Sequence, residues 1–193
     1  DPMGFSTGAA DIFGVTGGVM EAALRTVYEI ITGRELPFPN LHVSPIVGLE
    51  EIKEATIKLE NVKPEWRAAE GFEVKIAVTS GFAGARKLMD QIRNGTSPYH
   101  FIEVMGCPGG CITGGGQPRP QENIEIVRQK RMEALYGEDE RKTVRKSHEN
   151  QSLMHFYKEW GGPGCHASHE YLHTHYVKRD KYNELTNENF VVD

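Results

Sequence analysis

Cys107 and Cys111 stand four residues apart in the run Glu103-Val-Met-Gly-Cys-Pro-Gly-Gly-Cys-Ile-Thr-Gly-Gly-Gly-Gln-Pro118. Thiolate is the soft ligand that iron–sulfur clusters prefer. Pro108, Gly109 and Gly110 separate the two cysteines, and Gly114, Gly115 and Gly116 follow them. A turn with so few side chains lets a bulky inorganic group approach the backbone, because glycine has no Cβ and tolerates positive φ. Its freed amides can also point at an anionic cluster. The spacing alone fits a disulfide or coincidence as well as a metal. The glycines and the segment leading into them favour iron–sulfur ligation. A zinc site would show a Cys-x2-Cys pair with a second pair or a paired histidine motif, and no second pair lies nearby.

The elements around the turn must deliver it. Phe101 to Met105 is apolar and reads as a buried strand. Phe72 to Val78 alternates and reads as a strand, and so does Ala55 to Glu60, with Pro64 breaking the connection over 61–71. These two strands are expected to pair as neighbours. Ala83 to Arg93 reads as a helix with Leu88 and Ile92 on one face, closed by Asn94 and Gly95. Strand, helix, strand at these lengths predicts a βαβ unit with parallel strands and a right-handed crossover. Cys107 then lies just beyond the carboxyl end of a parallel strand, where ligands of open α/β sheets gather.

Upstream, residues 1–15 are small and glycine-rich and read as a closely packed loop. Thr16 is expected to cap a helix with Gly17 and Gly18 in its first turn. Its apolar face is read as Val19, Ala23, Val27 and Ile30/Ile31, with Gly33 closing it in the left-handed conformation. Pro37, Pro39 and Pro45 make residues 34–48 irregular. Downstream of Pro120, residues 123–136 predict an amphipathic helix through Ile124, Val127, Met132 and Leu135. Further short helices are expected from 139 or 140 onward and over 147–160, ended by Gly161-Gly-Pro-Gly164. The charges on these helices are read as solvated faces.

A second constellation holds Cys165, His166, His169, His173 and His175. On a helix, His166, His169 and His173 share a face. A metal site with Cys165 as fourth ligand is conceivable there. The simpler reading is a surface tail whose histidines pack and hydrogen-bond.

Composition bounds the rest. The 193 residues suffice for one ordinary domain. The net charge of −5 excludes a basic nucleic-acid footprint. No apolar run approaches the ~18 residues of a membrane span, and no secretory leader is visible. The expected location is the cytoplasm, with the periplasm as the alternative. The chain begins Asp1-Pro2, which reads as an internal cut, a processed end or the limit of a fragment. Only three cysteines are present, two of them in one turn, so a disulfide scaffold is not expected.

The cysteine run resembles the last of the three cysteine motifs of the [FeFe]-hydrogenase (iron-only hydrogenase) catalytic domain. Ile12-Phe-Gly-Val-Thr-Gly-Gly-Val-Met-Glu-Ala-Ala-Leu-Arg25 resembles the segment entering the long helix beside that family's active site. Arg145-Lys-Ser-His-Glu-Asn150 and His169-Glu-x-Leu-His173 resemble its C-terminal tail. The resemblance runs in order from near residue 1 to about residue 176. It implies an α/β lobe over 1–160, with a mixed or parallel sheet containing the βαβ unit and flanked by helices, and a helical tail over 161–193.

It also implies a reversible interconversion of H2 with protons and electrons at a six-iron H-cluster. That group joins a [4Fe–4S] cube to a two-iron unit bearing CO, CN⁻ and a bridging dithiolate. On this sequence Cys107 would ligate the cube and Cys111 would bridge cube and two-iron unit. Met105 and Phe13 would pack against the two-iron unit, and Gly14 would line the pocket. The helix N-terminus beside Phe13 would favour the cluster's negative charge. Two departures stand out. The family's Thr-Ser-Cys-Cys-Pro and Pro-Cys-x2-Lys-x2-Glu motifs are absent, and Gly106 stands where many members have alanine. An N-terminal half is therefore an expected partner, whether as a separate chain or an upstream segment. An electron carrier such as ferredoxin, or another redox subunit, is the other. The chain by itself is expected to be inactive. A hydrogenase-like H2 sensor and a non-catalytic iron–sulfur scaffold are the alternatives.

Overall fold

The structure, a computed structural model, describes residues 5–37 and 52–177. The irregular stretch expected at 34–48 lies largely outside the described residues, as does the tail beyond 177. The chain divides into two compact units, 1–154 and 155–193.

The first unit is built on a three-stranded mixed sheet in the order β1-β2-β3. β1 (Ile52–Lys58) runs antiparallel to β2 (Glu73–Ser80), with Ile52 opposite Thr79. β2 runs parallel to β3 (Phe101–Met105), with Ile76 opposite Phe101 and Ser80 opposite Met105. The helix α3 (Phe82–Arg93) connects β2 to β3, as the βαβ reading expects. β1 begins three residues before its expected start at Ala55. Its two buried residues, Ile52 and Ile57, serve opposite faces of the sheet, so period-2 alternation is blurred.

β2 is the centre of the core. Ile76 and Val78 pack with Ile57, Leu59 and the helix α2 (Gly18–Thr32) through Met20, Leu24 and Tyr28. Ala77 packs on the other face with Ile52 and Leu88 of α3. A strand covered on both sides reads as an unbroken apolar run, and Ile76-Ala-Val78 is one. β3 departs from the expectation of a buried strand. It is an edge of the described sheet, and Phe101 and Val104 are 47% and 43% exposed. Ile92 of α3 also points outward, leaving Leu88 to carry that face.

Most of the stripe expected to bury α2 faces outward, although Ile31 packs against the core. Val19, Val27 and Ile30 are exposed, while Met20, Leu24 and Tyr28 face the sheet. The buried face also carries Glu21 and Arg25. Two charges on the true inner face made the outer stripe look more apolar. Gly33, at φ 71°, closes α2 as expected. The N-terminal loop reading is corrected too. Residues Gly8–Asp11 form a short helix, α1, whose first turn is capped by the Thr7 hydroxyl accepting from Ala10 N at 3.3 Å. A 3-10 turn, Ile12–Gly14, follows, and Ala9 and Ile12 are fully buried.

α4 (Ile124–Arg141) is one continuous helix where two were expected. Its first turns are exposed at Ile124 and Ile126, so the amphipathic reading holds only toward the C-terminal half. There Met132, Leu135 and Tyr136 pack with Ile12, Val15 and Ile112. A 3-10 turn, Ser147–Glu149, leads into α5 (Gln151–Trp160). In the second unit, α6 (His166–Leu172) is capped by Cys165, and Trp160 stacks on Phe156 and meets Tyr171 edge-on. Among the described residues no helix is long and apolar enough to cross a membrane.

Candidate functional site: the cysteine turn beyond β3

The turn starts where β3 ends. Gly81 N donates to the Met105 carbonyl at 2.7 Å, tying the end of β3 to the end of β2. Gly110 N then closes the turn on the Cys107 carbonyl at 2.9 Å. Two neighbours fix Gly109. Its amide donates to Ser80 Oγ at 3.1 Å, and its carbonyl accepts from Thr16 N at 3.2 Å. A 3-10 turn, Cys111–Thr113, continues the chain, and the Thr113 hydroxyl donates back to the Pro108 carbonyl. Ile112 anchors this turn in the cluster of Ile12, Val15 and Tyr136.

Gly110 is dictated by this docking. Its φ of 94° is left-handed, and a Cβ there would lie 2.7 Å from Gly14 O and 2.8 Å from Thr16 N. The backbone of 14–16 therefore lies directly against the turn. At Gly14 a Cβ would lie 2.8 Å from Leu135 Cδ1.

The structure thus brings Cys107, Cys111, Met105 and Gly14 into one neighbourhood. Phe13, next to Gly14, is 46% exposed. Both thiols are free and exposed. The tail histidines are not drawn into a metal arrangement: among the described residues no group of three or more His, Cys, Asp or Glu could hold a metal ion. His169 and His173 pack ring against ring at 4.9 Å, and Cys165 Sγ accepts from Ser168 N at 3.3 Å.

Two expectations at the mouth of α2 are corrected. Thr16 does not cap the helix. Gly17 is the capping residue, at φ 94°, and Thr16 Oγ1 is buried without a hydrogen-bond partner. The helix N-terminus is also not free for an outside anion. Glu103 of β3 reaches across and accepts from Gly17 N and Met20 N, each at 2.7 Å. A carboxylate at a helix N-terminus neutralises its dipole. This residue was missed, although a glutamate inside an apolar strand was a visible signal.

A second group missed in the sequence lies behind the turn. Arg25 donates to Asp139 at 2.8 and 2.7 Å and to Glu21 at 2.6 Å. Arg145 adds bonds to Asp139 at 3.2 and 2.7 Å, and Tyr136 donates to Glu21 at 3.0 Å. Asp139 is fully buried, which corrects the reading of the helix charges as solvated. Burial alone would raise the Asp139 pKa, but the hydrogen bonds from both arginines hold it below the usual carboxylate range. Burial, and then Glu21, pushes the Tyr136 phenol up. The i, i+4 spacing of Glu21 and Arg25 was the one sequence signal for this group.

The donor set fits part of an iron–sulfur group. Two thiols are the right ligand type. An added Cβ at Gly106, Gly115 or Gly116 would meet nothing within 4 Å, so the turn leaves room beside it.

Comparison with known proteins decides the family. The family described as iron-only hydrogenase large subunit, C-terminal domain, matches residues 1–115, more than half of the chain. The chain belongs to the iron-only hydrogenase family. A second family, the iron hydrogenase small subunit, matches residues 121–179. The chain is 44% identical over 181 residues to the NADP-reducing hydrogenase subunit HndD of Solidesulfovibrio fructosivorans, covering 93% of this chain and 28% of that one. It is 40% identical over 183 residues to iron hydrogenase 1 of Clostridium pasteurianum, covering 92% and 30%. A solved [FeFe]-hydrogenase HydA1 of Chlamydomonas reinhardtii superposes with a TM-score of 0.73 at 40% identity, covering 92% of this chain and 48% of that one. The chain thus spans under a third of these curated relatives and about half of the solved one. A more distant relative is the cytosolic Fe-S cluster assembly factor narfl of Danio rerio, 32% identical over 140 residues.

Proposed function

We propose that this chain is the cluster-bearing part of an [FeFe]-hydrogenase that interconverts H2 with protons and electrons. The observation that carries the reading is the pair of free thiols on a glycine turn, fixed by 14–16 and Ser80 at the carboxyl end of a parallel strand. Cys107 would hold the [4Fe–4S] cube, and Cys111 would bridge it to a two-iron unit carrying CO, CN⁻ and a dithiolate. That bound group would supply the redox chemistry on H2.

The chain's own residues do the holding. The two thiolates would hold iron at the end of β3. Met105 and Phe13 would wall the two-iron unit, and Gly14 would line the pocket with its backbone, its Cβ side being taken up by Leu135. Apolar walls exclude water and shift the potential of an iron centre. A cube takes four cysteine ligands, and this turn offers two. The N-terminal half of the catalytic domain would complete the cage, with ferredoxin or another redox subunit passing electrons. Residues 1–160 would form the lobe and 161–193 the tail. Without the completing half the chain would be inactive.

The distant likeness to an assembly factor favours one second reading, an iron–sulfur scaffold holding only a cube. Infrared spectra of the full, cluster-loaded protein separate the two, with H2 turnover measured alongside. The expected outcome is CO and CN⁻ bands with turnover, both lost in Cys111→Ala. A Cys111→Ala protein that keeps the bands and the activity rejects the assignment. A wild-type protein with a cube and no bands supports the scaffold.

A further inference from the structure

Two arginines of α4 meet the cysteine turn from behind. Arg131 Nη1 donates to the Ile112 carbonyl at 2.6 Å, and Nη2 donates to the Pro118 carbonyl at 2.9 Å. One planar guanidinium therefore spans the two ends of the glycine-rich segment that follows Cys111. Arg128 is one turn earlier on the same helix face. It lies against Gly109, where an added Cβ would come within 2.6 Å of its Nε. That Nε is buried without a hydrogen-bond partner, while Nη1 pairs with Glu125 at 2.7 Å. Both arginines belong to the stretch matched by the small-subunit family, whereas both cysteines belong to the large-subunit match.

We propose that Arg128 and Arg131 are positioning residues for the cluster ligands: the small-subunit part of the chain clamps the cysteine turn and adds positive charge behind it. Ile112 is anchored in the core, but Gly114, Gly115 and Gly116 have no side chains to pack, so the placement of the segment beyond Thr113 must come from outside. The Ile112 and Pro118 carbonyls can be gripped together by a fork of donors, which lysine cannot reproduce. A cation near an iron–sulfur centre favours its reduced, more negative form. The proposal rests on the reading that Cys107 and Cys111 hold iron, and the test separates the two.

The test uses the full protein with Arg131→Met, Arg131→Lys, Arg128→Met and, as a control on the same helix, Arg141→Met. In the cluster-free protein, exchange of the hydrogen-bonded amides of Thr113, Gly114 and Gln117 should quicken about tenfold in Arg131→Lys, the scale of one lost charge-assisted bond, and by more in Arg131→Met, which loses both. It should stay at the wild-type rate in the control. In the loaded protein, the reduction potential of the cube should move negative in Arg131→Met and Arg128→Met. It should stay near wild type in Arg131→Lys, which keeps the charge. If Arg131→Met fails to fold, Arg131→Lys decides the exchange arm and Arg128→Met the potential. Wild-type exchange at these amides in a folded Arg131 variant overturns the clamp. Potentials that do not follow charge overturn the link to the cluster and leave the arginines merely structural. If no cube loads in wild type, the hydrogenase reading falls and the exchange arm still decides the clamp.

Discussion

At the scale of the residue, the turn depends on Gly110 more than on either cysteine. A thiol can be removed without moving the backbone. A Cβ at Gly110 would meet the carbonyl of Gly14 and the amide of Thr16, and its φ of 94° with ψ of −161° suits only glycine. Gly110→Ala should cost about 1–3 kcal/mol in backbone strain alone. The midpoint of chemical unfolding measures that loss, and the iron content of the reconstituted protein should fall with it. Gly115→Ala is the matching control, because nothing lies within 4 Å of the new Cβ. It should leave both readings near wild type. The placing of Cys107 and Cys111 on one turn beyond a parallel strand was legible in the sequence, because their spacing and the strand before them are local properties. Glu103, Ser80 and Arg131 were not, because each acts on a backbone group far along the chain. A single sequence gives no sign of which amide a carboxylate will meet.

At the scale of the element, α2 and β3 are joined by one side chain. Glu103 accepts from Gly17 N and Met20 N, so the strand that delivers Met105 and Cys107 also caps the helix beside Phe13. Replacing the charge while keeping one acceptor, as in Glu103→Gln, should cost about 0.5–1 kcal/mol by the helix-terminus effect. Glu103→Ala, which leaves two amides unmet, should cost about 1–3 kcal/mol. Urea unfolding of the two variants measures the difference, and a Gln variant as damaged as the Ala variant would show that the charge, and not the retained acceptor, is the main term. The strand–helix–strand order was legible because the strands are short, apolar and separated by one helix. The inner face of α2 was not. Its buried stripe includes Glu21 and Arg25, and a periodicity argument discounts charged residues. The exposure of β3 was equally hidden, since an apolar edge strand and a central one read alike.

At the scale of the molecule, a buried ionic group ties α2 and α4 to the segment after α4. Asp139, itself fully buried, receives bonds from the buried Arg25 and from Arg145, which is partly exposed. Removing one partner of such a group strands the other charges, which costs about 3–5 kcal/mol. Asp139→Ala should therefore lower stability by that amount, while Arg141→Ala, which loses one exposed partner, Glu138, should cost less than about 1 kcal/mol. The pH dependence of this buried group follows from two of its members, Asp139 and Tyr136. Asp139 is held below its unfolded value of about 3.9, so its contribution is present above that pH and is lost as pH falls through the lower folded value. Tyr136 is raised above its unfolded value of about 10, so its contribution is complete below pH ~10 and is lost as pH rises toward the folded value. The stability that this group contributes should accordingly be flat between these limits and fall on both sides. Asp139→Ala should be the less stable protein on the plateau. It should show a shallower decline in acid than wild type, because the group that titrates there is gone. An acid limb of unchanged steepness in Asp139→Ala would place the acid sensitivity in other carboxylates and remove this group from the account of what holds α2 to α4.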